Sequence, residues 1–156
     1  MYNGMLHLHN FLRWIILILL LVNVIYHLGS TARPFTLKDK KLALGLLIAS
    51  HVTLLIGLYQ YFFGNYGFKY FQDGNIGEVM KTPALRFWAI EHISGMLMAI
   101  ILITIAYSTS KKNIATVSKR KKMGYLFLTA LIIILLVIPW PFRDVLIRRP
   151  WFPGMH

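Results

Sequence analysis

The chain has no cysteine. That excludes disulfides, thiolate-ligated haem, iron–sulfur clusters and Cys-type zinc sites, so any metal must be held by His, Met or carboxylate. Charge is scarce too: 14% of the 156 residues are Asp, Glu, Lys or Arg, against about a quarter in a soluble domain. Lipid-facing surface is where so few ions suffice, and the 57% hydrophobic content agrees. Acids are the rarest class, with 5 Asp+Glu against 17 Lys+Arg and a formal net charge of +12. This excess does not point to nucleic acid, because the cations sit between apolar runs and form no basic face. The sequence contains no Gly-rich phosphate loop, no Ser-His-Asp constellation and no HExxH. No internal repeat, linker or low-complexity segment divides it.

Four apolar runs are present: Trp14–Ala32, one within Leu42–Phe68, Phe87–Ser110 interrupted only by Glu91, and Met123–Phe142. A span needs roughly 20 apolar residues at about 1.5 Å each. Without water to pair the backbone, each span must be helical. The expected fold is therefore all-α: an integral membrane four-helix bundle, up-down-up-down, forming one transmembrane domain over residues 1–156. Its spans are expected at about 12–31, 42–63, 86–108 and 123–141. Arg13 precedes the first run, but no small-residue cleavage site follows Asn23-Val-Ile-Tyr-His27, so the run reads as a retained span.

Boundary signals support these limits. Thr36 is placed to cap helix two after Pro34, and Thr82-Pro83 starts helix three with proline at its first position. Gly64-Asn65-Tyr66-Gly67 ends helix two, and Pro139-Trp140-Pro141 ends helix four. Aromatic residues gather at one set of ends (Phe11, Trp14, Tyr59 to Phe63, Phe87, Trp88, Trp140, Phe142), which reads as an interfacial belt. The first connection carries Arg33, Lys38, Lys40 and Lys41 against Asp39. The third carries Lys111, Lys112, Lys119, Arg120, Lys121 and Lys122 with no acid. In the middle connection Lys69, Lys81 and Arg86 are offset by Asp73 and Glu78. Positive loops stay inside. Connections one and three are therefore expected on the cytoplasmic side and both termini outside, despite Arg143, Arg148 and Arg149 on the tail.

Ionisable residues within spans are costly and become candidates for function. His51, near the middle of helix two, and His92, near the start of helix three, lie on consecutive helices. Imidazoles on facing helices form the axial pair of a b-type haem. The bland alternative for each is a hydrogen bond across the bundle. Gly95 and Ala99 beside His92, and Gly45, Ala49 and Gly57 around His51, suit either close helix packing or a flat macrocycle. Counted along the helices, His51 lies ~8 Å deeper than His92, and His9 lies ~10 Å above it. His9 is thus the alternative ligand, placing the haem close to the outer surface. Arg13 and Arg86, at outer helix ends, could hold haem propionates or serve as interfacial cations. Glu91 is a partner for either arginine, a proton-relay carboxylate, or an acid neutralised in lipid. His27 reads as an interfacial residue at the inner end of helix one, and the methionines as core filling. No role attaches to His7 or His156.

Several stretches resemble a family of small four-helix bacterial membrane proteins that carry the name cytochrome b. They are Leu6-His7-Leu8-His9 leading into Leu12-Arg13-Trp14, His51-Val-Thr-Leu-Leu-Ile-Gly57, Arg86-Phe-Trp-Ala-Ile-Glu-His92, Leu102-Ile-Thr-Ile105 and Ile138-Pro-Trp-Pro-Phe142. The likeness spans nearly the whole chain. It implies a haem b electron carrier in the bacterial inner membrane, with His51, His92 and His9 as ligand positions. The motifs are not those of the large bc-complex cytochrome b, which pairs histidines within single helices. The expected function is one-electron transfer, exchanging with quinol or a partner membrane redox protein, as a carrier more than a stand-alone enzyme. Two other readings stand beside it. One is a cofactor-free accessory or assembly subunit of a larger membrane complex. The other is a small transport or metal-handling protein using His9, Glu91 and His92.

Overall fold

The computed structural model describes residues 2–72 and 76–152. Asp73, counted among the acids of the middle connection, and His156 lie outside the described residues. The protein is all-helical, 77% helix, with no strand among the described residues. The elements are α1 (Tyr2–Leu28), α2 (Leu37–Phe63), the short α3 (Lys69–Gln72), α4 (Ile76–Lys81) and α5 (Pro83–Arg86), then α6 (His92–Ser110) and α7 (Thr116–Val137). A π-helical turn, Phe87–Glu91, joins α5 to α6. Three helical stretches are long and apolar enough to cross a membrane: Tyr2–Leu28, Leu37–Phe63 and the continuous run Pro83–Ser110. The fourth long helix, α7, carries Lys119, Arg120, Lys121 and Lys122 in its first turns, which shortens its apolar part.

Helix limits depart from the sequence reading mainly at the amino ends. α1 begins at Tyr2 instead of near residue 12, because no proline interrupts residues 2–11 and a helix propagates readily once nucleated. α2 begins at Leu37, held by Thr36, whose backbone N–H and hydroxyl both donate to Asp39 Oδ2 at 2.7 Å. This is the reciprocal half of a capping box. α7 stops at Val137 with Ile138 extended, as the residue before Pro139 must be. The middle connection is not a plain loop, since α3 and α4 lie within it.

α1 packs on α2 and α7, and α6 packs on the same two helices, so α1 and α6 face each other across the group. The shared core holds Leu20, Leu46, Ile103, Met123 and Phe127, all fully buried. Ile18, Ile25, Leu55, Ile101 and Leu136 point the other way and stay more than half exposed. Large aliphatic residues facing outward on all four helices make an apolar exterior around a packed interior. The first half of α1 and the segment that follows α7 meet: Asn10 Nδ2 and Arg13 Nη2 donate to the Pro150 carbonyl at 3.3 and 3.2 Å.

Candidate functional site

The site grows from how α7 ends. Pro139 and Pro141 have no N–H, so the carbonyls four residues earlier, on Leu135 and Val137, lose their helical partners. Both are recovered by side chains. Trp140 Nε1 donates to Leu135 O at 2.9 Å, and His92 Nδ1 donates to Val137 O at 2.8 Å. Arg143 likewise bonds the Leu136 carbonyl. A carbonyl can only accept, so the proton of His92 is on Nδ1 and Nε2 keeps its lone pair. A histidine tied this way by its outer nitrogen is the usual form of a metal-ligating imidazole.

Two features bring His92 to that carbonyl. The π-helical turn immediately before it inserts an extra residue, with His92 N–H bonding Phe87 O, which rotates everything that follows relative to α5. Turns of this kind are rare and occur often at functional sites. One turn later Gly95 lets α6 approach α7 closely: a Cβ there would lie 2.6 Å from Val137 Cγ1.

Across the interior stands His9 of α1, its ring centroid 6.5 Å from that of His92 with the planes at 64°. Two imidazoles that grip one metal from opposite sides at about 2.0–2.1 Å per bond have centroids about 6 Å apart. Gly57 of α2 makes room for His9, since a Cβ there would meet His9 Cε1 at 3.1 Å. The Thr53 backbone is also near, but His9 Nδ1 is buried with no hydrogen bond of normal geometry.

Both histidines line a cavity of about 210 Å³ that gathers Arg13 and Ile16 from α1, Thr53 and Gly57 from α2, Met96 from α6 and Ile138 beyond α7. Exposed His7, Tyr66 and Pro150 also line it, so it reaches the surface where α1 meets the segment that follows α7. Its volume is smaller than the roughly 300 Å³ at which ligand pockets begin, and a tetrapyrrole enters only if the apolar side chains lining it swing aside. Its donors suit such a group: two imidazoles with centroids 6.5 Å apart and the guanidiniums of Arg13 and Arg149, in walls that are mostly apolar.

The other expected site residues fall elsewhere. His51 is exposed on the outer face of α2, donates Nδ1–H to its own Leu47 carbonyl at 2.9 Å, and is not on the cavity wall. The expected His51–His92 pair is therefore not brought together, whereas the alternative His9–His92 pair is. The ~10 Å depth offset for His9, from sequence counting, does not appear: the two rings lie 6.5 Å apart, so the ends of the apolar runs from which depth was counted are not level. Arg86 is turned to Glu91, Nε to Oε1 at 2.7 Å, and to the Met80 carbonyl at 2.9 Å; neither Arg86 nor Glu91 lines the cavity. Arg13 does line it, with Nη2 donating to Pro150 O and Trp151 O and with Nε buried and unpaired. His27 is fully buried, not interfacial; it donates Nδ1–H to Asn23 O at 2.8 Å and packs its ring near Phe127. Arg149 is a cavity residue that reading the sequence passed over as a tail cation; its only signal was the aromatic residues, Tyr66 and Trp88, that it stacks on. Among the described residues no group of three or more His, Asp and Glu is placed to hold a metal ion. Neither family models, nor curated proteins, nor solved structures give a match to this chain.

Proposed function

We propose that the protein binds one haem b between His9 and His92 and carries single electrons, exchanging with quinol or a partner membrane redox protein. The supporting observation is the pair itself, two imidazoles 6.5 Å apart on the wall of one apolar cavity. A metal ion held by side chains alone wants three or four protein donors. A haem brings its own equatorial nitrogens, asks the protein for two axial ligands, and supplies a one-electron iron couple. The chain's part is to hold the ligands and set their surroundings. The Val137 carbonyl fixes the His92 tautomer and ring direction, Gly57 seats the His9 ring, and the mostly apolar walls lower the local dielectric.

The same reading takes the chain across the bacterial inner membrane four times, up-down-up-down, with both termini outside. Its support is the outward aliphatic face of α7, where Ile132 is 50% and Leu136 66% exposed, together with the cations at the α1–α2 and α6–α7 connections. The resemblance to the small cytochrome b family agrees with this reading, and the short distance between the His9 and His92 rings favours His9 over His51 as the partner of His92.

Absorption spectroscopy of the full chain purified in detergent tests the proposal. The expected result is a Soret band and a reducible α band of low-spin, bis-histidine character. His9→Ala and His92→Ala should each abolish it, while His51→Ala and His27→Ala should leave it intact. A colourless, metal-free wild-type protein would make the accessory-subunit reading the better one, and a colourless protein with bound copper or zinc the metal-handling one.

A further inference from the structure

The cavity holds more positive charge than its surroundings explain. Arg13 is 9% exposed, and its Nε is buried without an acceptor. Arg149 lines the same cavity from the C-terminal segment, its guanidinium 4.5 Å over Trp88 and 4.9 Å over Tyr66. Among the described residues no Asp or Glu lines the cavity, and neither arginine has a carboxylate within ion-pair distance. Asp39 is engaged by Arg33 and Arg120, and Glu91 by Arg86. A buried guanidinium without a counter-charge is expensive, and carboxylates are the partners its fork of donors fits best.

The segment that brings Arg149 is fastened over the site. Arg149 N–H donates to Pro139 O at 3.0 Å, Trp88 Nε1 to Leu146 O at 3.1 Å, and Trp14 Nε1 to Trp151 O at 2.7 Å. Arg13 itself holds the carbonyls of Pro150 and Trp151. One cation thus comes from the wall and one from the strap across the mouth, both at the end of the cavity that reaches the surface.

We propose that Arg13 and Arg149 form a two-cation clamp for the carboxylates of the bound ligand, and that the segment Asp144–Trp151 is the strap that completes it. The inference rests on the haem reading, in which the carboxylates are the two propionates. It replaces Arg86, which its Glu91 contact keeps off the cavity wall, with Arg149. The ligand class that follows is a flat apolar ring system with two acidic groups at one edge, entering with that edge toward the strap.

Titration of the purified full chain with haem b and with haem b dimethyl ester, whose propionates carry no charge, tests the clamp. The wild-type protein should bind the free acid about tenfold or more tightly, the scale of a lost charge-assisted hydrogen bond. Arg149→Gln and Arg13→Gln should each remove most of that preference, and Arg149→Lys should restore part of it. Arg148→Gln makes the same charge change one residue away, on an exposed side chain off the cavity, and should keep the full preference. Equal affinity of the wild type for acid and ester would overturn the clamp while leaving the haem site standing. So would an Arg149→Gln variant that behaves like Arg148→Gln. Absence of a low-spin spectrum with either compound is the separate failure of the haem reading, and the clamp falls with it.

Discussion

Arg120 of α7 and Asp39 of α2 meet at 2.7 Å with both side chains completely buried. Asp39 also accepts from Arg33 at 2.9 Å and from Thr36. Arg120 directs its remaining donors to the carbonyls of Arg33, Pro34 and Tyr26, at 3.0, 2.8 and 3.3 Å. The α1–α2 connection is therefore tied to α7 by a cation whose hydrogen bonds reach the end of α1, the connection itself and the first turn of α2. Breaking one side of a buried pair leaves an uncompensated charge and costs about 3–5 kcal/mol. Arg120→Met and Asp39→Leu should each lower stability on that scale in denaturant unfolding of the detergent-solubilised protein. The double variant should lose clearly less than the sum, because the fully buried Arg120 charge that Asp39→Leu strands is gone and only the 28% exposed Arg33 is left without its acid. Additive losses would mean that the two side chains are not energetically coupled.

Orientation is checked by accessibility. Cysteines placed singly at exposed Lys38 and Ser118 should be shielded from an impermeant thiol reagent in intact cells, and one at exposed Lys81 should react. The chain's lack of native cysteine makes the background clean. Reaction at the first two with protection of Lys81 would invert the topology without changing the number of crossings.

Composition and hydropathy make the helical character and the long apolar helices legible, because the exclusion of charge from lipid acts on every residue of a span. Caps were legible for the same local reason: Thr36 with Asp39 and Thr82-Pro83 announce helix starts within four residues. The site was harder to read. His51 looked most intramembrane by depth, yet depth is only one coordinate of a helical residue. Rotation decides whether it meets a neighbour or lipid, and in α2 the residues just before and after, Ser50 and Val52, divide between buried and exposed. The π-helical turn at Phe87–Glu91 shifts rotation for all of α6, and no composition rule announces it. Arg149 enters the site through a tail whose path depends on contacts with residues more than a hundred positions away, as in its neighbour Pro150 on Arg13. Arg120 was counted as one loop cation among many, since charge counting cannot tell a solvated lysine from a buried guanidinium.

Gly95 links helix packing to the site and gives the last prediction. An added Cβ would lie 2.6, 3.0 and 3.2 Å from Val137 Cγ1, Cγ2 and Cβ. Valine in a helix has essentially one side-chain rotamer, so it cannot swing clear, and α6 and α7 must part. The atom that moves with Val137 is the carbonyl that orients His92. Gly95→Ala should therefore destabilise the protein by about 1–3 kcal/mol, the usual cost of overpacking. It should also weaken the low-spin spectrum expected from the proposed His92 ligation. Val137→Ala in the same chain removes the two obstructing methyl groups and should restore both properties. Gly45→Ala is the control: nothing lies within 4 Å of its added Cβ, and alanine is the better helix former by about 0.5–1 kcal/mol. Thermal unfolding and spectra of the three variants decide the matter. If Gly95→Ala behaves like Gly45→Ala, the α6–α7 contact does not position His92, and its imidazole is held by some other means.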